Sequence, residues 1–426
     1  MKASRKRIAV IGSGISGLAS AYFLNRQHDV VLYEAGSYLG GHTNTVDVTL
    51  EGRTHGVDTG FLVYNELTYP NLVALFKELD VASIASDMSF GVSAGDGALE
   101  WAGSSLDTVF AQRANLASPA FLGMLRDILH FNLNAQRFLR QVSLSGLTLG
   151  QLLQQQRYGA SFRDAYLLPM AAAIWSSSPG DILQFPAATF LRFCINHALL
   201  QISNRPQWRT VAGGARQYVA RIAATLPDCR LNTPVRAVHR AHGEVVVNSA
   251  CASENYDAVV FATHAPTTVA LLQDPSDTER AILGSVRYQP NTAYLHTDTS
   301  LMPRRRKVWS AWNYLSGAQA DGQSPVCVSY WLNQLQGLPF ETPLMVTLNP
   351  PAAPAAEHVL ARFDYAHPIM DQPTIRAQQL LPRIQGVDGI WYAGAWTGYG
   401  FHEDGLKSAL RIATAFGVAP TWATLP

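Results

Sequence analysis

Residues 7–34 read RIAVIGSGISGLASAYFLNRQHDVVLYE, and the order of parts within them decides the fold. Ile8-Ala9-Val10-Ile11 is a continuous apolar run, the composition of a parallel strand buried on both faces. It enters Gly12-Ser13-Gly14-Ile15-Ser16-Gly17, a stretch of helical composition follows from Leu18 to Leu24, and Val30-Val31-Leu32-Tyr33 reads as a second strand ending at Glu34. Each part has a task in holding a dinucleotide. Gly12 permits the tight turn, Gly14 lets a pyrophosphate approach the backbone, and Gly17 lets helix and strand pack closely. The helix N-terminus offers unpaired N–H groups to the phosphates. Glu34, about twenty residues beyond the glycines, accepts from adenosine ribose hydroxyls and repels a 2′-phosphate, which disfavours NADP. Strand, glycines, helix, strand and acid in that order assign Gly12, Ser13, Gly14, Ile15, Ser16, Gly17, Glu34 and Ala35 to the ADP half of a dinucleotide.

The rest of the composition sets the frame. A chain of 426 residues suits two packed domains, and 48% hydrophobic with 15% charged residues places it among globular proteins rather than disordered ones. A formal charge of +1 gives no global argument for nucleic acid. The run Arg304-Arg305-Arg306-Lys307 is either a solvated loop or a patch for anionic head groups or substrates. Four cysteines without close spacing, Cys194, Cys229, Cys251 and Cys327, point away from a zinc site and a disulfide framework, and suit a reducing, cytoplasmic compartment. Lys2, Arg5, Lys6 and Arg7 precede an apolar stretch as in a secretory signal, but Gly12, Gly14 and Gly17 interrupt it. No run of about eighteen apolar residues predicts a membrane span, so membrane contact, if any, is expected to be peripheral.

Further segments extend the nucleotide reading. After Glu34 come Leu39-Gly40-Gly41-His42 and Gly56-Val57-Asp58-Thr59-Gly60; near the far end stand Ile390-Trp391-Tyr392-Ala393-Gly394-Ala395 and Gly405-Leu406-Lys407-Ser408-Ala409. On these residues the chain resembles the flavin-containing amine oxidoreductase superfamily, which includes amine oxidases, protoporphyrinogen oxidases and carotenoid desaturases. The resemblance implies an α/β fold: a discontinuous Rossmann-like FAD-binding domain with an amine-oxidase-like α+β substrate domain. It adds Gly40, Gly41, His42, Thr59, Gly60, Gly394, Gly405 and Leu406 to the cofactor set, together with Thr263 in the crossing loop of Phe261-Ala262-Thr263-His264-Ala265-Pro266, and Val235, in Thr233-Pro234-Val235, beside adenine. It also implies that a helix beginning near Gly405 aims N–H groups at the flavin's pyrimidine oxygen. His42 stands where many relatives carry an arginine that reaches the pyrophosphate. Relatives that attach flavin covalently use a cysteine in the C-terminal segment; none lies beyond Cys327 here, so non-covalent FAD is expected.

The FAD-binding pieces are expected at 1–75, 205–270 and 380–420. The intervening 76–204 and 271–379 are assigned to a substrate domain with a sheet floor and a helical cap. Phe110, Phe121, Leu125, Ile128, Leu129 and Phe131 recur at helical spacing in the cap, the pattern of a core-facing stripe. Some of Tyr166, Trp175, Phe185, Trp309, Trp312, Tyr314, Tyr330 and Trp331 should line a cavity. Gly213-Gly214 precedes a helical stretch, Gln217 to Ala224, but no buried strand is expected to lead into it, which speaks against a second, NADPH-binding fingerprint. Electrons are then expected to leave to oxygen, to a protein carrier or back to substrate.

No metal or nucleophile constellation competes with flavin chemistry. The turn Trp396-Thr397-Gly398-Tyr399-Gly400-Phe401-His402-Glu403-Asp404-Gly405 offers Tyr399 and His402 as candidate catalytic residues, His402 as a base or as a group that hydrogen-bonds the turn. Glu403 and Asp404 favour the N-terminus of the following helix. Lys307 is the only lysine in the strand-rich half of the substrate domain, and its arginine neighbours imply exposure, so a lysine beside N5 of the kind amine oxidases use has no counterpart. The Gly-Phe-His-Glu-Asp-Gly turn is similar to that of a bacterial subgroup of predicted NAD/FAD-binding proteins, often associated with cyclopropane-fatty-acyl synthase-like methyltransferases. That resemblance implies oxidation or desaturation of a lipid-like acyl chain at an allylic or methyl-branched position. The alternatives are an amine oxidase releasing hydrogen peroxide and a non-catalytic binding protein that kept the FAD fold.

Overall fold

A computed structural model describes residues 5–143, 145–201, 205–317 and 326–425; Lys2 lies outside them. The strand Arg7–Ile11 sits at the centre of a five-stranded parallel sheet ordered Asp228–Arg230, Asp29–Tyr33, Arg7–Ile11, Ala258–Phe261, Ile390–Tyr392. Ile8, Ala9 and Val10 are fully buried, as a strand covered on both faces requires. One face packs on the helix Ile15–Leu24 and the last helix, His402–Ala415; on the other lie the antiparallel meander Val235–Ala241, Glu244–Ser249, Ser253–Tyr256 and the helices that follow. Sequence segments more than two hundred residues apart thus meet in one sheet.

A seven-stranded mixed sheet forms the second layer system, ordered Val359–Pro368, Tyr288–His296, Met345–Leu348, Cys327–Trp331, Trp312–Leu315, Phe90–Ala94, Leu99–Ala102. Its pairs are antiparallel except Trp312–Leu315 with Phe90–Ala94. Helices from Pro119–Val142 to Ala187–Asn196 form the cap. Ser118 caps the long helix by accepting from the Phe121 N–H, and Pro119 occupies its first turn, where no N–H is needed. Phe121, Met124, Phe131, Ala135, Phe138 and Val142 form its buried face. Leu125 and Ile128 pack beside that face, whereas Leu129, assigned to the same stripe, is 48% exposed. Position 129 lies about 160° from Phe131 on the helix, so the two cannot share a face.

Another expectation is corrected. A strand, Trp208–Val211, does lead into Gly213-Gly214, but it pairs antiparallel with Tyr64–Asn65 and Ser83–Ser86 rather than entering a parallel sheet. The turn it feeds abuts Thr45 and Asp58, where a Cβ on Gly214 would meet Thr45 Cγ2 at 2.4 Å. The run from Arg304 to Lys307 is exposed at all four residues, as expected of a solvated segment, yet it is tied to its neighbours. The backbone N–H groups of Arg304 and Arg305 donate to buried Glu100, as does the Arg305 guanidinium at 2.8 Å, Arg306 stacks on Trp309, and Lys307 pairs with Asp107. Among the described residues no helix is long and apolar enough to cross a membrane.

Candidate active site

The C-terminal ends of the parallel strands open onto a cavity of about 480 Å³ that also reaches the mixed sheet and the cap. Gly12 adopts φ +98°, and its N–H donates to Tyr33 O at 2.8 Å, which turns the chain from the first strand into the first helix. A Cβ on Gly17 would stand 1.8 Å from Gly12 O, so helix and strand touch only because that side chain is missing. At Gly14 a Cβ would meet nothing within 4 Å; its missing side chain leaves open space on the cavity wall. Gly41 lies across from it, with a hypothetical Cβ 3.1 Å from Gly14 Cα. The Gly40 N–H donates to Ser13 O at 3.0 Å and joins the two glycine turns. Glu34 accepts from the Ser13 N–H at 3.0 Å and the Gly36 N–H at 2.7 Å, which fixes its carboxylate at one end of the cavity. An acid, an open glycine cradle and a helix N-terminus in this order fit an ADP moiety.

Of the assigned cofactor residues, Gly12, Ser13, Gly14, Ile15, Ser16, Glu34, Gly40, Gly41, His42, Thr59, Gly60, Thr263 and Gly394 line this cavity. Gly17, Ala35, Val235, Gly405 and Leu406 do not. Val235 begins the meander, and it is neighbouring Thr233 whose N–H reaches Glu34 O at 2.9 Å. The last helix starts at His402, not near Gly405, because the Gly405 N–H already donates to Phe401 O at 3.0 Å. Gly405 instead admits the first helix, with a hypothetical Cβ 2.8 Å from Ile15 Cγ2 and Ser16 Oγ, and Leu406 is core.

Both candidate catalytic residues line the cavity. His402 stacks on Phe61 with centroids 3.6 Å apart, and its Nε2 is engaged by Thr43 Oγ1 at 2.9 Å and Tyr218 OH at 3.2 Å. Burial lowers its pKa to about 3, so the ring is neutral and a poor base. Tyr399 packs edge-on against Phe193, and its carbonyl accepts from Trp175 Nε1 at 3.2 Å. Asp404 caps its own helix by accepting from the Phe401 N–H at 3.0 Å. Glu403 serves another helix: it accepts from the Asn71 and Leu72 N–H groups at 3.2 and 3.0 Å, at the start of Pro70–Glu78.

Sequence reasoning missed a ring of histidines. His42, His197, His264 and His367 join His402 on the wall. His42 stacks on Tyr365 at 5.0 Å and lies 5.2 Å from His367, while His264 stacks on Tyr288 at 4.4 Å. Burial first, then the neighbouring imidazoles, hold His42 well below the usual histidine range; burial also lowers His264, and brings His197 and His367 to about 4. These residues sit at scattered chain positions with no motif spacing. Only His42, His264 and His402 stood within segments singled out in the sequence.

Trp175, Trp312 and Tyr330, from the predicted aromatic set, line the far part with Leu62, Val63, Met88, Ile174 and Leu199. Among the described residues, Lys307 is absent from the wall, as are arginines and, apart from Glu34, carboxylates.

The flavin-containing amine oxidoreductase sequence model matches residues 15–416. The Mycobacterium tuberculosis protein named "Putative flavin-containing monoamine oxidase AofH" is 27% identical over 285 residues, which cover 63% of this chain and 59% of that one. The chain therefore spans less than two thirds of that relative's length. Among solved structures, the CLA-producing fatty acid isomerase from P. acnes superposes with a TM-score of 0.69 at 15% identity, covering 96% of this chain and 98% of the other. Putrescine oxidase bound to putrescine gives a TM-score of 0.69 at 16% identity, covering 97% and 99%. The dinucleotide for which the glycine cradle is built is thus FAD, and the chain belongs to the flavin-containing amine oxidoreductase family.

Proposed function

We propose that this protein is an FAD-dependent oxidoreductase that oxidises or desaturates an apolar, lipid-like acyl chain. The carrying observation is the chemistry of the wall. Among the described residues, beyond Glu34 at the adenosine end, it bears no carboxylate, lysine or arginine, and its imidazoles are held neutral by burial. Such a chamber offers no counter-charge to a polyamine and favours a substrate that buries CH₂ groups, each contributing about 0.8 kcal/mol. The fold is shared with a fatty acid isomerase, so acyl chains are within its range.

Bound FAD supplies the hydride acceptor, at N5. The chain's own residues bind and orient. Glu34 holds the adenosine sugar, the turns at Gly14 and Gly41 receive the pyrophosphate, and Trp175, Trp312 and Tyr330 press the substrate into register and keep water out. The wall's imidazoles, with pKa values pressed down by burial, are weak proton acceptors and serve instead to stack and to hydrogen-bond within the wall.

Anaerobic spectrophotometry of the FAD-loaded protein tests this reading. Phospholipids with methyl-branched or unsaturated acyl chains should bleach the flavin band, and putrescine or aromatic amines should leave it unchanged. Bleaching by amines with lipids silent would make the protein an amine oxidase instead.

A further inference from the structure

The cap helix Pro119–Val142 has a feature that neither the core nor the cavity uses. Its buried face accounts for Phe121, Met124, Phe131 and Phe138. A helix on a protein surface should then be polar on its far side. Instead Leu122, Leu129 and Leu133 are exposed, by 44%, 48% and 84%. At 3.6 residues per turn they fall within about 40° of one another, opposite the buried face, along about 16 Å of helix. Three arginines accompany them. Arg140 continues the same line, and Arg126 and Arg137 flank it, while the helix's single acid, Asp127, is buried and already accepts from Arg126. Exposed leucines in register with Arg137 and Arg140, which no acid of this helix compensates, match a surface that is apolar inside and anionic outside.

We propose that this outer face docks the protein on anionic lipid bilayers, with Leu122, Leu129 and Leu133 inserted among the acyl chains and Arg137 and Arg140 at the head-group phosphates. The occupant follows from charge complementarity: a second copy would bring arginines against arginines. The helix packs on Ala187–Asn196, whose Phe193 lines the cavity, so docking would bring the cap to the bilayer. The inference does not depend on which substrate is oxidised, because it is read by binding alone.

Sedimentation of the FAD-loaded protein with vesicles decides it. The protein should pellet with phosphatidylcholine–phosphatidylglycerol vesicles, stay in solution with phosphatidylcholine alone, and be released by salt. The double variant Leu129→Glu/Leu133→Glu should lose vesicle affinity by about tenfold or more, and Arg137→Gln/Arg140→Gln by about tenfold on anionic vesicles only. Both should keep the flavin spectrum and melting temperature, since all four side chains face solvent. Wild-type protein that stays in solution with anionic vesicles, or Leu129→Glu/Leu133→Glu that pellets like wild type, would overturn the proposal. So would vesicle-free self-association abolished by that variant, which would make the stripe an interface between copies.

Discussion

At the scale of single residues, the sharpest consequence concerns His402. A general base contributes about 10²–10⁴ in rate, yet this ring has its Nε2 occupied by Thr43 and Tyr218 and a pKa of about 3. His402→Phe, which keeps the stack on Phe61, should therefore lower the rate of flavin reduction by less than about tenfold. Stopped-flow reduction checks this, and a loss of about 10³ would restore His402 as a base. Glu403 makes the opposite kind of prediction. It is buried and holds the first N–H groups of Pro70–Glu78, so Glu403→Ala should cost about 3 kcal/mol in denaturant unfolding while leaving the flavin spectrum intact. Position alone did not reveal this role. The acid sits in the first turn of its own helix, and only the fold brings residue 71 to it.

At the scale of elements, the opening strand, glycine turn, helix and second strand were legible because each carries its own local signature: an apolar run, a spacing of glycines, a terminal acid. The strand entering Gly213-Gly214 was not, because Trp208-Arg209-Thr210-Val211 is polar in part and pairs in a small antiparallel sheet. The start of the last helix was misplaced for a related reason. Gly405 looked like a helix-opening glycine but is a packing glycine three residues inside. Two glycines test how elements meet. Gly17→Ala sets a methyl against a backbone carbonyl, Gly12 O, which cannot move without parting helix from strand. Gly405→Ala crowds the Ile15 and Ser16 side chains and reaches backbone Ala395 N only at 3.7 Å, for a cost of about 1–3 kcal/mol. Thermal melts should rank Gly17→Ala as the more damaging.

At the scale of the whole molecule, the histidine wall couples stability to pH. A histidine whose folded pKa is depressed binds fewer protons folded than unfolded, so its contribution is complete above the unfolded value of about 6.5 and is lost as pH falls toward the folded one. His197 and His367 at about 4 and His402 at about 3 should each remove about 2 kcal/mol by pH 5. Asp58 and Asp404 oppose them. Burial raises both to about 6, so each favours the fold by about 1 kcal/mol more at pH 5 than at pH 7. The histidines win, and urea unfolding should show a clear net loss of stability between pH 7 and pH 5. Stability that rose on acidification would contradict the account of the wall. The cavity as a whole was only half readable. Its adenosine end is built from contiguous motif residues, whereas the histidines and the far aromatics converge from separate elements and carry no spacing.

The central claim is that a pyrophosphate lies where the first strand gives way to its glycine turn. Gly14 isolates that claim, because a Cβ there meets nothing of the protein's own within 4 Å and the residue lies on the cavity wall. Extraction and absorption spectroscopy of purified Gly14→Leu should find a folded protein, with the melting behaviour of wild-type apoprotein, that carries no FAD and gains none on addition. A Gly14→Leu protein as yellow as wild type, with an unchanged flavin spectrum, would contradict it.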